Sequence, residues 1–239
     1  MFTVYIPDRR GRGLSGPLGA NYSIEREDED LDALLTQTDA HFVFGTADGA
    51  LFALHAAISL PAIQKVIAYE PVLFAGQPGL EPFIASIQHF ELNMAKGGPI
   101  LAVVGLTKDQ VKALRLVPDS FLIPLTRLIL RLVDRNVKGD DVPYRELLPT
   151  LRDELQIVTQ TEGTIENYRG VTADVLLLLG SKSAEFIKGS INALHNVLPH
   201  VQLIELHGLN HDAAQDYGKP GPIAQEIKRF IQDAAKVSI

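Results

Sequence analysis

The chain has 239 residues, 46% of them hydrophobic and 21% charged, with a formal net charge of −7 and no cysteine. This is enough ordinary globular sequence to bury a substantial core, and the acidic balance offers no basic surface for phosphate backbones, which excludes nucleic acid as an expected partner. Without cysteine there is no disulfide framework, no thiolate nucleophile and no cysteine metal site. Neither metal nor cofactor is expected.

The first segment, "FTVYIPD", is a β-branched and aromatic run ending in Pro and Asp, which predicts a buried strand and then a loop, "RRGRGLSGPLGANYS". A helix is predicted over "EDEDLDALLTQT", whose leading acids suit the positive end of the helix dipole. A strand at "HFVFG", a helix at "ALFALHAAISL" and a strand within "IQKVIAYEPVL" follow. From about Gly76 to Tyr168 the patterns are helical, including "LEPFIASIQHFELNMA", "FLIPLTRLILRLVDR" and "YRELLPTLRDELQIVTQ". The strand and helix rhythm resumes with "ADVLLLLG", "SAEFIKGSINALHNVL", "VQLIELHG" and "PIAQEIKRFIQDAAK".

Alternating strands and helices predict an α/β fold, a mostly parallel sheet flanked by helices, with an inserted helical lid. The expected organisation is a core from 1–75 and 169–239 and a lid over 76–168. Binding chemistry in such sheets belongs to the loops at the carboxyl ends of the strands. No basic-then-apolar leader opens the chain, and the longest apolar runs, 120–133 and 175–180, are too short or too interrupted by Arg to span a bilayer. The expectation is a cytoplasmic protein with no stable membrane insertion, although Leu125 to Val133 has the amphipathic pattern of a helix able to rest on a membrane surface.

Two glycine patterns carry candidate chemistry. "GRGLSG", Gly11 to Gly16, matches G-x-G-x-x-G after a predicted strand, but it continues as "PLGANYS" and opens no helix, so a turn is expected rather than a dinucleotide site. In "FVFGTADGALFALHAA" the residues Gly45 and Gly49 bracket Ala47, the G-x-S-x-G spacing of a nucleophile elbow with Ala in place of Ser.

The order "YIPDRRGRGLSGP", "FVFGTADGALFALHAA", "VIAYEPVL", a helical insertion, "VLLLLGSKS" and "ELHGLNHDA" resembles the α/β-hydrolase superfamily over essentially the whole chain. The resemblance implies that Ala47 occupies the nucleophile position and that His211 is the general base, a role an imidazole suits because it titrates near neutral pH. It implies an orienting acid at Glu70, after the strand ending "AYEP", or at Glu185, with Glu70 preferred. Thr46 and Asp48 flank the elbow as candidate substrate-binding residues, and the backbone amide of Asp48 stands where the superfamily builds part of its oxyanion hole. His41, His55, His89, His195, His200 and His207 are expected to be packed or solvated.

Two departures accompany the resemblance. The attacking hydroxyl is missing at Ala47, and superfamily members carry earlier strands and an "HG"-type oxyanion motif before the segment matching "DRRGRG". An uncovered sheet edge invites pairing, so a homodimer is an expectation. The expected function is hydrolysis of a small apolar ester or lactone, inactive for acyl-enzyme chemistry as written. The alternatives are a lyase, cyclase or isomerase using His211 and Asp48 for acid–base chemistry, or a ligand-binding protein.

Overall fold

The computed structural model describes residues 2–135, 137, 139, 142–215 and 217–234. They form two compact units, one of Met1–Tyr22 with Glu81–Gln156 and one of Ser23–Leu80 with Ile157–Ile239.

The second unit holds the sheet. Its helix α1 (Ile24–Thr38) begins with Glu25 and Glu27 in the first turn and ends where Asp39 turns left-handed, its N–H bonded to the Leu35 carbonyl. Strand β1 (Phe42–Thr46) runs into α2 (Asp48–Ser59), and β2 is Lys65–Tyr69. After the helical segment come β3 (Asp174–Gly180), the helix Glu185–Val197, β4 (Val201–Leu206) and the closing helix Pro220–Ala234. The four strands are parallel in the order β1-β2-β3-β4, and the register aligns Thr46 with Tyr69, Tyr69 with Leu178 and Gly180 with Leu206. All four carboxyl ends therefore lie along one edge of the sheet.

Strands buried on both faces read as continuous apolar runs rather than alternations, and "KVIAY" and "VLLLLG" are buried throughout. One face packs Ile67, Tyr69, Leu176 and Leu178 against Leu209, Ala213, Ile223 and Phe230. Helix α2 is apolar all round and is correspondingly buried, from Ala50 through Leu54 and again at Ala56 and Ala57.

The other unit is mainly helical. It holds α3 (Leu80–Gln110) from Glu81 onward, broken at Gly98 before Pro99, then α4 (Asp119–Asp134), α5 (Tyr144–Leu147) and α6 (Thr150–Gln160) as far as Gln156. The proline removes a helix donor and disfavours helical geometry in the residue before it, which is why the break falls there. In the sheet unit Glu185–Val197 is α7 and Pro220–Ala234 is α8.

One expectation fails. The segment "FTVYIPD" is not a strand of the sheet and is not buried: Ile6 is 90% exposed. Its composition favours extended backbone, but a strand also requires a hydrogen-bonded neighbour, and no described residue pairs with it. The following loop closes on itself: Gly11 N–H bonds to the Gly16 carbonyl at 2.8 Å, Leu14 N–H to an Asp8 carboxylate oxygen at 2.9 Å, and the Ser15 hydroxyl to the Asp8 carbonyl at 2.6 Å. Among the described residues no helix opens before Ile24, so these glycines present no helix amino end to a pyrophosphate.

Candidate functional site

The turn from β1 to α2 is built around two conformational demands. Ala47 has φ 51° and ψ −118°, outside the regions an L-residue with a Cβ normally occupies, and its N–H bonds to the Tyr69 carbonyl at 3.0 Å. Strain of this kind costs about 1–3 kcal/mol and persists only where the surroundings enforce it. Gly45 lets the first turn of α2 come close: a Cβ there would lie 2.3 Å from the Gly49 carbonyl oxygen and 2.6 Å from the Ala50 nitrogen. Gly49 meets no such obstacle, since nothing lies within 4 Å of a Cβ built there. Gly45→Ala is therefore expected to destabilise the fold by about 3 kcal/mol, the upper end for overpacking, because backbone cannot step aside as a side chain can. An unchanged urea midpoint would show a looser turn than this one.

Glu70 follows β2 as Ala47 follows β1, and it too is left-handed, at φ 51°. Its N–H bonds to the Leu178 carbonyl at 3.0 Å, and its side chain is fully buried. Oε1 accepts the Gly180 N–H at 2.7 Å and the Ser183 hydroxyl, while Oε2 meets Nδ1 of His211 at 2.8 Å. A carboxylate can only accept, so Nδ1 carries the proton and Nε2 is left as the basic nitrogen. The His211 side chain is 40% exposed.

The segment bearing His211 is pinned from several directions. The Tyr69 hydroxyl donates to the Asn210 carbonyl at 2.6 Å, Gly208 N–H bonds to the Ser181 hydroxyl oxygen at 2.8 Å, and Lys182 N–H bonds to the Leu209 carbonyl at 2.9 Å. Burial first, and the neighbouring Glu70 charge second, push the Tyr69 phenol above its ordinary range, so it stays a donor.

No protein-family model and no curated protein matches the sequence. Solved structures do resemble the fold. An alpha/beta hydrolase from Sphaerobacter thermophilus DSM 20745 superposes with a TM-score of 0.66 at 23% identity, covering 94% of this chain and 80% of that one. A carboxylesterase structure from Nitrososphaera gargenis gives 0.63 at 15% identity over 96% and 79%. An E-2-(acetamidomethylene)succinate hydrolase gives 0.58 at 18% over 94% and 80%. The chain has the α/β-hydrolase fold.

Within this α/β-hydrolase fold Ala47, Glu70 and the His211 segment follow, or adjoin, the carboxyl ends of β1, β2 and β4 along the same sheet edge. Glu185 is elsewhere in chemical terms: it opens α7, is exposed, and meets Lys188 at 3.3 Å. Thr46 ends β1 and Asp48 opens α2, both half-buried, with the N-terminal N–H groups of α2 beginning at Asp48. A pocket of about 290 Å³ lies beside the histidine segment, lined by residues that include Asn210, Asp212, Tyr217 and Lys219, but Ala47, Glu70 and His211 do not line it.

Sequence reasoning missed three contributors. In "VLLLLGSKS" the notable feature is an absent Asp, whereas Gly180 and Ser183 serve as the two donors to Glu70 Oε1. Tyr69 reads as a core residue, and its hydroxyl holds the loop. His55 also has a carboxylate partner, Asp28, at 2.8 Å between α2 and α1.

Two expected results follow from these contacts. Ser183→Ala removes a charge-assisted hydrogen bond from a buried carboxylate and should cost about 2 kcal/mol, with Ser183→Thr recovering most of it; denaturation midpoints check this, and an Ala variant as stable as the parent would contradict the contact. The second concerns alkali. Tyr168 is buried, which raises its phenol with help from Asp28, as burial and Glu70 raise Tyr69. Above pH ~10 unfolded tyrosines lose protons that these two keep. The unfolded state then binds fewer protons, so stability falls as pH rises, by up to ~1.4 kcal/mol per pH unit for each phenol. Urea titrations of the parent and of Tyr168→Phe on either side of this pH should show a shallower loss in the variant; parallel losses would refute it.

Proposed function

We propose that this chain carries an ester- or lactone-hydrolase site for a small apolar substrate, and that it forms no acyl-enzyme because residue 47 is alanine. The observation that supports this reading is the wired pair His211 and Glu70 on the sheet edge that also bears the strained turn at Ala47. In that reading Ala47 holds the nucleophile position, His211 is the base, Glu70 orients it, and Thr46 and Asp48 contact substrate. The esterase and hydrolase among the similar structures support the reaction class.

A second reading is favoured by a specific feature: the pair is complete although the nucleophile is absent. A fully buried carboxylate on a left-handed backbone is expensive to keep, and it is engaged on both oxygens. Non-covalent acid–base chemistry, an elimination, cyclisation or isomerisation, uses such a pair without residue 47.

The two readings separate in assays on short-chain esters and lactones for hydrolysis and on small apolar substrates with acidic C–H groups for elimination, cyclisation or isomerisation. Hydrolysis by Ala47→Ser alone supports the first. Non-hydrolytic turnover by the parent chain that is lost in His211→Ala supports the second. Ligand binding without turnover of either kind in any variant would overturn both and leave a binding protein.

A further inference from the structure

Helix α4 carries a row of large apolar side chains on its exposed side. Phe121, Leu125, Leu128, Ile129 and Leu132 are all exposed, Phe121 at 62% and Leu128 at 52%. At 100° per residue these five side chains fall in one arc of about 100°. Arg127, Arg131 and Arg135 fill the adjoining arc of about 80°, and all three are exposed with no ionic partner among the described residues. The only acids of the helix, Asp119 and Asp134, are neutralised: Asp119 pairs with Lys108 at 2.5 Å, and Asp134, which borders the arginine arc, is nearly buried and pairs with Arg145 at 3.3 Å. The exposed half of α4 thus carries mainly large apolar and arginine side chains, in a chain whose formal net charge is −7.

We propose that this face of α4 docks reversibly on an anionic lipid surface, with the apolar arc at the acyl boundary and the three arginines at the headgroups. Charge complementarity selects this occupant. A purely apolar protein groove would leave three guanidinium groups to be desolvated without partners, whereas anionic headgroups supply them. No described helix is long and apolar enough to cross a membrane, and α4 has 16 residues, so the geometry is that of a helix lying in the interface plane.

The test is co-sedimentation of the whole chain with vesicles of phosphatidylcholine alone or mixed with phosphatidylglycerol, at low and high salt. The parent is expected to bind the mixed vesicles and to lose binding as salt rises. Changing Arg127, Arg131 and Arg135 together to Gln should weaken binding about a hundredfold, at roughly fivefold per charge, while the corresponding Lys variant keeps it. Leu128→Glu with Leu132→Glu should abolish binding to both vesicle types. Thermal melting of each variant establishes that it is folded; the substituted positions are exposed, and the Lys and Gln variants have similar bulk. Equal binding to both vesicle types, indifference to the Gln substitutions, or no binding at all would overturn the proposal. So would a dimer, seen by analytical ultracentrifugation, that Leu128→Glu dissociates, because the face would then belong to a second copy.

Discussion

Ala47→Ser is expected to raise ester hydrolysis by a thousandfold or more over the parent chain. In a nucleophile, base and acid acting as a unit, deleting the nucleophile alone costs on the order of a millionfold, and the remaining groups retain only part of the acceleration. The substitution adds a single oxygen to a partly exposed residue whose backbone is already held at φ 51° by the Tyr69 carbonyl and the close approach of Gly45 to α2. Serine and alanine share that backbone strain, so the gain should come with little change in melting temperature. Steady-state rates on p-nitrophenyl esters and lactones, with a pre-steady-state burst as evidence of an acyl-enzyme, measure it. A folded Ala47→Ser variant that neither turns over esters nor reacts with a fluorophosphonate would remove the hydrolase reading.

Glu70→Gln in the Ala47→Ser background should lower kcat about ten-thousandfold, the scale seen when a buried orienting acid becomes its amide. The reason lies in how the two oxygens are shared. Oε1 accepts from Gly180 N–H and the Ser183 hydroxyl, so the oxygen of the introduced amide must stay there, and its NH2 group is left facing Nδ1 of His211. An NH2 group only donates, which forces the ring proton onto Nε2 and removes the base. The same substitution in the parent chain should abolish any native acid–base turnover, and nitrogen chemical shifts of the His211 ring report the tautomer with no substrate present. A Glu70→Gln variant that keeps the Nδ1-protonated ring and its rate would show that Glu70 does not orient the base.

Much of the scaffold was legible before any coordinates. The alternation "HFVFG", "ALFALHAAISL", "KVIAY" encodes a parallel α/β unit through two β-prone runs joined by an apolar helix, the second run buried on both faces, and Gly45 ahead of Ala47 marks a turn that only a residue without a Cβ allows. The first segment misled because strand propensity describes one chain, while a strand needs two. Phe2 to Asp8 has the composition without the neighbour.

Local periodicity and turn chemistry thus determined the paired strands, the helices between them and the tight turn at Gly45, because each depends on residues a few positions apart, whereas the candidacy of His211 came from the order of motifs that resembles the superfamily. The choice of Glu70 rather than Glu185 as the partner of His211 was decided by the tertiary structure, as were the parts of Ser183, Gly180 and the Tyr69 hydroxyl. Those contacts join residues 110 to 141 positions apart, and they form only when strand register brings the ends of β2, β3 and β4 to one edge. Hydrogen-bond geometry at that edge is set by parallel pairing between distant segments, which no pattern within a single segment records.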